Sequence, residues 1–201
     1  MKTEVLKANN LKPASLALLR GEVVAFPTET VFGLGVIFDD EKAYQKLVTI
    51  KERPPTQPFT LMCASTLEIE KYAELSVAAK KIVKTFMPGP LTIIVKVKAD
   101  VPSFVTLGTG YIGIRVSESK LVQNLIRLTG KPLLVPSANK HGANPCLSSE
   151  STYEAFNGEL PYIIEGASIS NIPSTIIKIN DKIELIRTGS IPFTKILETV
   201  R

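Results

Sequence analysis

The sequence predicts one domain of the α/β or α+β class, built on a twisted mixed sheet. Short apolar segments rich in β-branched residues are interspersed with segments whose apolar residues recur at helical spacing. Several of the strand-like segments follow one another without a helix between them, which favours a mixed sheet. No linker, repeat or low-complexity tract divides the 201 residues. We therefore expect a single domain over residues 1–201.

The predicted helices are marked by apolar spacing and by the residues that begin or end them. Asp39 or Asp40 is suited to cap a helix over 41–51, because its carboxylate accepts hydrogen bonds from the first turn. Gly21 and Gly130 are typical residues for ending the helices that precede them. The segments predicted as helices are 11–20, 41–51, 76–86, 120–128, 149–156 and a last turn near 196.

The predicted strands are short and apolar, and β-branched residues are concentrated in them. They cover 22–26, 59–63, 91–97, 112–116, 133–135, 162–165, 175–179 and 183–186. Three of them lead into loops with small hydroxyl side chains, at Thr28–Thr30, Ser137–Asn139 and Ser174–Thr175. Each loop alone also fits an ordinary turn or helix cap. Because ligands in open α/β sheets lie beyond strand ends, the three loops together predict a cleft.

Composition excludes several classes of protein. With 44% hydrophobic and 21% charged residues, the chain is neither disordered nor collagen-like. A net charge of +5 suits an anionic ligand, and it equally fits the few excess lysines of many small proteins. Cys63, Cys146 and the single His141 form neither a disulfide scaffold nor a zinc site. We expect a cytoplasmic protein, since the chain has no secretion signal and no membrane-spanning apolar run.

A pair of cations lies where the helix over 41–51 ends. Lys51 and Arg53 are followed by Pro54 and Pro55, which fix the backbone next to the charges. The helix dipole by itself accounts for cations at this end. A pre-ordered Lys and Arg also suit a polyphosphate, because Arg grips two oxygens at once. The chain has neither a P-loop nor a dinucleotide fingerprint, so any nucleotide site is of an uncommon design.

Arg115 stands within the apolar segment 112–116, where a charge needs an anionic partner. Two interpretations remain open: an internal ion pair with Glu29, or a carboxylate or phosphate of a ligand. Glu29 is the only carboxylate of the three loops and His141 the only histidine. The sequence therefore supports neither a paired general acid and base nor a Ser-His-Asp arrangement. It favours catalysis by electrostatic positioning.

Seven short motifs lie along the chain in a fixed order. They are Pro27-Thr28-Glu29-Thr30-Val31-Phe32-Gly33-Leu34-Gly35, Lys51-x-Arg53-Pro54, Pro88-Gly89-Pro90-Leu91-Thr92, Ile112-Gly113-Ile114-Arg115-Val116, Pro136-Ser137-Ala138-Asn139, Ser174-Thr175-Ile176-Ile177 and Ile186-Arg187-x-Gly189. In this order, and from about residue 16 to residue 191, the chain resembles the YrdC-like threonylcarbamoyl-adenylate synthase family.

The resemblance implies a twisted sheet with helices around a basic concave cavity. It also implies a reaction in which L-threonine, bicarbonate and ATP give threonylcarbamoyl-AMP and pyrophosphate. A separate transferase would use this product to form N6-threonylcarbamoyladenosine in tRNA. Weak RNA binding by the protein itself is a further implication, which the mild positive charge permits.

The resemblance assigns a role to each matched residue. The threonine side would be formed by Thr30, Arg115 and Ser174. The ATP side would be formed by Arg53, Gln57, Ser137, Asn139 and Arg187. Lys51 and Arg53 would act catalytically by offsetting charge on the phosphates.

Three positions depart from the family pattern. Gln57 replaces the more usual Asn, Met62 stands where many members have His, and Tyr111 stands where many have Thr. The sequence shows no Asp or Glu cluster for magnesium, so a Mg²⁺ ion would be held mainly by the ATP phosphates rather than by a protein metal site.

The alternative hypothesis comes from a different class of protein. It is a non-catalytic, double-stranded RNA-binding or ribosome-associated module that uses the basic cavity. Small hydroxyl side chains in the loops suit small ligands better than RNA. Aromatic residues are only 6% of the chain, whereas readers of single-stranded RNA usually expose several. The enzyme is therefore the favoured hypothesis.

Overall fold

The computed structural model of the protein describes residues 2–54 and 58–201. Its helices are α1 (Lys12–Leu19), α2 (Glu41–Lys51), α3 (Ile69–Tyr72), α4 (Val77–Phe86), α5 (Ser103–Thr106), α6 (Lys120–Thr129), α7 (Ser149–Phe156) and α8 (Phe193–Glu198). Its strands are β1 (Glu4–Leu6), β2 (Val24–Phe26), β3 (Gly33–Ile37), β4 (Leu61–Met62), β5 (Leu91–Lys96), β6 (Tyr111–Arg115), β7 (Leu133–Leu134), β8 (Tyr162–Ile164), β9 (Thr175–Ile179) and β10 (Ile183–Arg187).

The strands form one mixed sheet in the order β1-β8-β2-β3-β7-β4-β6-β5-β9-β10. Parallel pairs are β1 with β8, β8 with β2, β4 with β6, and β5 with β9. The other neighbours are antiparallel. Helices lie between many of the strands along the chain, so the predicted fold class of a mixed sheet with interspersed helices is confirmed.

Helices cover both faces of this sheet. Adjacent residues of a strand point to opposite faces, so each face has its own apolar core. In β2, Ala25 belongs to a core that includes side chains of α2, α4 and α7. Val24 and Phe26 belong to a second core, formed with α1 and α6. Burial on both faces explains why this strand is apolar throughout rather than alternating.

Helix α2 matches its predicted bounds and carries the cationic pair at its end. Asp40 Oδ1 accepts a hydrogen bond from the Ala43 amide at 3.0 Å, which caps the first turn. Lys51 is the last helical residue. Glu52 then adopts a left-handed conformation, with φ of 52°. The chain therefore turns sharply between Lys51 and Arg53, and the two cations leave the helix in different directions.

Strand β3 is an element that the sequence pattern does not predict. It contains Gly33 and Gly35, and glycine has low strand propensity. The structure shows why glycine occupies both positions. A Cβ atom at Gly35 would lie 2.6 Å from the Phe26 ring, and one at Gly33 would lie 2.6 Å from Val135. Close packing across the sheet therefore overrides propensity, and residues 27–32 become the connection between β2 and β3.

The other unpredicted elements are short and lie away from the three loops: β1, α3 and α5. Each spans three or four residues, too few for a periodic pattern to be visible in the sequence. Among the helices described, none has the length and apolar character needed to cross a membrane.

Candidate active site

The three hydroxyl loops surround one cavity of about 550 Å³. This volume lies within the usual range for a small-molecule site. Thr28, Thr30, Ser137 and Ser174 all line the cavity. The structure therefore brings together the three loops that the sequence pattern places at strand ends.

Backbone hydrogen bonds hold the first two loops side by side. The Ala138 amide donates to the Phe32 carbonyl at 2.7 Å, and the Leu34 amide donates to the Pro136 carbonyl at 3.0 Å. The third loop is fixed differently. The Thr175 amide donates to the Pro90 carbonyl at 3.0 Å, which ties it to the turn before β5. The wall of the cavity is thus defined mainly by main-chain contacts.

Arg115 lies at the cavity and pairs with Glu29. Its Nη2 atom is 2.6 Å from Glu29 Oε1, and both side chains are almost fully buried. Ser117 Oγ donates to Glu29 Oε2, and the Glu118 amide donates to Glu29 Oε1 at 3.4 Å. Arg115 Nε donates to the Gly89 carbonyl at 3.3 Å. The internal ion pair is therefore present, and Arg115 still lines the cavity where it can meet a ligand.

Thr30 is connected to this pair. Its Oγ1 atom accepts a hydrogen bond from Arg115 Nη2 at 3.1 Å. Thr28 Oγ1 lies 3.0 Å from Thr30 Oγ1 and donates to the Val31 carbonyl at 2.7 Å. Both threonines are buried and both line the cavity. The Glu29 carboxylate, the Thr30 hydroxyl and the Gly89 carbonyl therefore fix the orientation of the Arg115 guanidinium.

Ser174 is held by Thr92 and Arg187. Arg187 donates from Nε and Nη2 to the Ser174 carbonyl, at 3.1 and 2.9 Å, and from Nη2 to the Ser174 hydroxyl at 3.0 Å. Thr92 Oγ1 lies 3.0 Å from Ser174 Oγ. Gly189 permits this approach, because a Cβ atom there would lie 2.3 Å from the Thr175 amide nitrogen. Arg187, which the resemblance assigns to ATP, thus contacts Ser174, which the resemblance assigns to threonine.

Arg53 lines the cavity near the end of α2. Its guanidinium carbon lies 5.5 Å from the centre of the Phe59 ring, a cation–π geometry. Burial lowers the pKa of Arg53, and Tyr44 opposes this effect. Gln57, which the sequence places on the same side, lies outside the described residues.

Lys51 is nearby but does not line the cavity. Its ammonium donates to the Ser137 carbonyl at 2.6 Å, to the Asn139 carbonyl at 2.9 Å and to Asn139 Oδ1 at 3.3 Å. Burial, followed by the positive charge of Arg53, lowers the pKa of Lys51 to about 8. Lys51 therefore joins the end of α2 to the loop that carries Ser137.

Asn139 likewise does not line the cavity. Its Nδ2 atom donates to the carbonyls of Lys140 and Ala143, at 2.8 and 2.9 Å. Its Oδ1 atom accepts from Ser137 Oγ at 2.6 Å. In this structure Lys51 and Asn139 thus contact the Ser137 loop itself, and the direct contacts with ATP expected of them stay predictions. Of the predicted ATP-binding residues, the structure brings Arg53, Ser137 and Arg187 to the cavity.

The charge at the cavity is positive. Glu29 offsets Arg115, whereas Arg53 and Arg187 add two further cations. Burial, followed by the charge of Arg115, lowers the pKa of Arg187. No Asp, Glu or His side chain lines the cavity in residues 2–54 and 58–201. The same residues contain no cluster of three His, Cys, Asp or Glu side chains that could hold a metal ion. The arrangement suits anionic ligands.

Several lining residues are not identified by the sequence pattern. Thr60, Thr92 and Pro145 line the cavity although none of them is a predicted site residue. Thr92 stands within one of the quoted motifs, so the motif was a signal that could have found it. Met62 also lines the cavity, as its position in the family pattern implies. Tyr111 is not a lining residue of the described cavity, and its ring faces Lys178 Nζ at 4.3 Å.

Comparison with known proteins assigns the family. The model of the Sua5/YciO/YrdC family, which carries the description "Telomere recombination", matches residues 16–189. The chain belongs to this family. The resemblance drawn from the seven motifs is thereby confirmed over nearly the same range.

Curated relatives are about one-third identical to this chain over the aligned residues. A protein of Photobacterium profundum, named threonylcarbamoyl-AMP synthase, is 36% identical over 161 residues, which are 79% of this chain and 87% of the relative. A protein of Pyrococcus abyssi with the same name is 33% identical over 183 residues, 90% of this chain. The chain spans only 54% of that second relative.

Solved structures agree with this assignment. The crystal structure of P. abyssi Sua5 complexed with L-threonine has a TM-score of 0.93 and 30% identity. It covers all of this chain, which corresponds to 61% of the Sua5 chain. The crystal structure of E. coli YciO has a TM-score of 0.87 at 24% identity, with 100% and 99% of the two chains covered. This second likeness concerns the fold alone.

Proposed function

We propose that the protein is a threonylcarbamoyl-AMP synthase, which forms threonylcarbamoyl-AMP and pyrophosphate from L-threonine, bicarbonate and ATP. The observation that carries this proposal is the distribution of arginines and hydroxyl groups around one cavity. Arg115, Thr30 and Ser174 provide a cation and hydroxyl groups suited to an amino acid. Arg53, Arg187 and Ser137 provide the cations and a hydroxyl suited to a nucleotide. Named relatives with this activity support the same conclusion.

The proposed reaction begins with formation of a carbamate. Threonine as its ammonium form and bicarbonate give the N-carboxylate, one water molecule and one proton. An oxygen of the carbamate then attacks the α-phosphorus of ATP, and pyrophosphate leaves. The cavity offers positive charge where negative charge develops, which is the form of catalysis that its residues support.

We assign the catalytic charge primarily to Arg53, since its side chain lines the cavity. Lys51 is proposed to contribute from the same helix end, two residues before Arg53 and in contact with the Ser137 loop. Magnesium would enter with ATP as part of the substrate. The donor set fits this arrangement, because hydroxyl groups and arginines line the cavity in the described part of the chain and carboxylates do not.

We further propose that residues 1–201 act as one catalytic domain in the cytoplasm. The single sheet supports one domain, and the two free, buried cysteines fit a reducing compartment. The product is a reactive mixed anhydride, and we propose that a separate transferase moves its threonylcarbamoyl group to tRNA. Weak binding of RNA by this chain is a secondary proposal that rests on its net charge of +5.

The experiment that tests the function uses purified protein with ATP, Mg²⁺, bicarbonate and labelled L-threonine. We expect pyrophosphate release that depends on threonine, together with a labelled adenylate detected under conditions that preserve it. Pyrophosphate released equally well without threonine, or no adenylate at all, would overturn the proposal.

The RNA-binding alternative makes a different prediction in the same preparation. Binding dominated by phosphate contacts falls by roughly 10³–10⁵ between 50 and 200 mM salt and does not respond to threonine. Titration of labelled double-stranded RNA at two salt concentrations, with and without threonine, separates the two hypotheses. We expect RNA binding to be weak beside threonine-dependent turnover.

A further inference from the structure

The C-terminus of helix α2 is capped partly by residues that are distant in the sequence. The last four carbonyl groups of a helix have no partner within the helix itself. In α2, the turn at Glu52 satisfies two of them. The Arg53 amide donates to the Val48 carbonyl at 3.3 Å, and the Glu52 amide donates to the Thr49 carbonyl at 3.0 Å. The carbonyls of the last two helical residues need partners from elsewhere.

The segment that follows Ser137 provides these partners. Lys140 Nζ donates to the Ile50 carbonyl at 2.8 Å. The next amide, that of His141, donates to the Lys51 carbonyl at 2.8 Å. A positive charge at this end of a helix also interacts favourably with the helix dipole. Two consecutive residues of the loop therefore fix the point at which the chain leaves α2.

Carboxylates hold the Lys140 ammonium in this position. Its Nζ atom lies 2.9 and 2.7 Å from the two carboxylate oxygens of Glu159, which follows α7. It also lies 3.2 Å from Glu52 Oε1 and 5.4 Å from the centre of the Phe156 ring. Burial by itself would lower the pKa of Lys140, but the carboxylates of Glu159 and Glu52 outweigh burial and raise it. Lys140 is therefore charged at neutral pH.

Two residues of the proposed nucleotide side are joined through this contact. Arg53 follows the turn at Glu52, Ser137 lies three residues before Lys140, and both line the cavity. We infer that Lys140 is a positioning residue for nucleotide binding, which holds the end of α2 against the Ser137 loop so that Arg53 enters the cavity in a fixed direction. The inference rests on the proposed function and deepens it by adding a residue that does not itself line the described cavity.

The conformation of Glu52 shows how closely this turn is defined. Its φ of 52° lies in the left-handed region, where glycine is the usual residue at a helix end. Glycine would avoid the strain but could not form the ion pair with Lys140. That pair is largely exposed and therefore weak, so the main anchors of Lys140 are Glu159 and the Ile50 carbonyl.

Other contacts join the same two elements. The Lys51 ammonium and the His141 amide also connect α2 to the loop. Loss of the Lys140 side chain should therefore loosen the contact without separating the elements. The expected consequence is a misaligned Arg53 in a folded protein, because small displacements of a positioning group weaken its contact with the ligand.

The test measures the affinity for MgATP, without threonine, by isothermal titration calorimetry. The wild type is compared with Lys140→Met, Arg53→Ala and the double variant. Lys140→Arg keeps a cation that can donate to the same oxygens, and it tests for rescue. Lys131→Met is the matched control, because it removes a similar ion pair, with Asp39 at 2.7 Å, beside the other end of α2.

We expect Lys140→Met to weaken binding of MgATP by about tenfold, which is typical of lost hydrogen bonds to a charged group. The affinity for L-threonine, measured without ATP, should be unchanged. In the Arg53→Ala background the same substitution should have little further effect, because residues that act as a unit are not additive. Lys140→Arg should recover most of the lost affinity, and Lys131→Met should bind MgATP as the wild type does.

Several outcomes overturn the inference. Unchanged affinity in Lys140→Met, or an additive loss in the double variant, would mean that Lys140 does not act through Arg53. Equal losses in Lys140→Met and Lys131→Met would indicate a general effect on the fold. Weaker binding of threonine as well as MgATP would show that the effect is not confined to the nucleotide side. None of these outcomes affects the proposed activity, which is judged separately by threonine-dependent release of pyrophosphate from the wild type.

Discussion

Arg115 and Arg187 line the same cavity, but the protein compensates their charges in opposite ways. Arg115 is almost fully buried and lies 2.6 Å from the carboxylate of Glu29. Arg187 is more open to solvent than Arg115, although burial still lowers its pKa, and it donates to neutral oxygens of Ser174. The carboxylate of Glu29 compensates the charge of Arg115 directly, whereas Arg187 keeps access to solvent, which stabilises its charge. The difference separates Arg115, a pre-oriented cation on the proposed threonine side, from Arg187, a more solvent-accessible cation on the proposed nucleotide side.

This contrast suits the two proposed ligands. An amino acid brings one carboxylate, and it is bound with specificity when the receiving guanidinium has a fixed orientation. ATP brings several negative charges, and it benefits from Arg53 and Arg187, which add positive charge at the cavity. Three substitutions test the comparison, and they follow in order of decreasing expected effect.

The largest effect is expected when the buried pair is broken. Arg115→Met leaves the carboxylate of Glu29 buried without its cation, which typically costs about 3–5 kcal/mol. We expect the free energy of unfolding, measured by urea denaturation, to fall by that amount. The double variant with Glu29→Leu removes both charges and should recover most of the loss. A double variant as unstable as Arg115→Met would show that the pair is not the cause.

A smaller effect is expected for Arg53, on the proposed nucleotide side, where the loss should fall on turnover rather than on stability. Arg53→Ala removes a cation from a half-buried position at the cavity, whereas Arg115 is almost fully buried. Turnover, measured as threonine-dependent pyrophosphate release, should fall by about 10²–10³. Urea denaturation should show much less loss of stability than for Arg115→Met. Arg20→Ala, at an exposed position after α1, is the matched control for loss of one charge. Near-full turnover by Arg53→Ala would contradict the assignment of Arg53.

A third effect, on the pH dependence of stability, concerns Lys51, a buried cation whose ammonium donates to neutral oxygens. Burial lowers the pKa of Lys51 from 10.5 to about 8. Between these two pH values the unfolded chain keeps a proton that the folded protein has released. The contribution of Lys51 to the free energy of unfolding therefore rises with pH over this window. The free energy of unfolding of the wild type, minus that of Lys51→Met, should therefore rise between about pH 8 and pH 10.5.

Lys81→Met, at an exposed position of α4, controls for loss of a lysine charge. Its stability difference from the wild type is measured over the same pH range. We expect no change with pH for this control. If the stability difference for Lys51→Met does not change with pH either, burial does not lower the pKa of Lys51.

The parts of the fold that depend on local chemistry can be predicted from the sequence. Helix α2 matches its predicted bounds because its eleven residues carry an apolar stripe and a cationic end and directly follow the capping residue Asp40. Strand β3 escapes prediction because its glycines are chosen by contacts with Phe26 and Val135. The second of these contacts joins residues about a hundred positions apart, so no local pattern contains it.

The candidate site likewise has features that the sequence predicts and contacts that only the fold determines. Hydroxyl-bearing loops at strand ends are visible in the sequence, and the structure brings their side chains together. The choice between Glu29 and a ligand as the partner of Arg115 remains open in the sequence, since the two residues are 86 positions apart. Thr92 is missed because its contact with Ser174 depends on the parallel register of β5 and β9.

The bond between Arg187 and Ser174 links the two substrates thermodynamically. Arg187 is proposed to bind the nucleotide, and Ser174 is proposed to bind threonine. A nucleotide that changes the hydrogen bonds of Arg187 also changes the orientation of the Ser174 hydroxyl, 3.0 Å away. Coupling between binding sites is reciprocal, so threonine must alter nucleotide affinity by the same factor. We therefore expect each substrate to have two dissociation constants, one for the empty protein and one for the protein that already holds the other substrate.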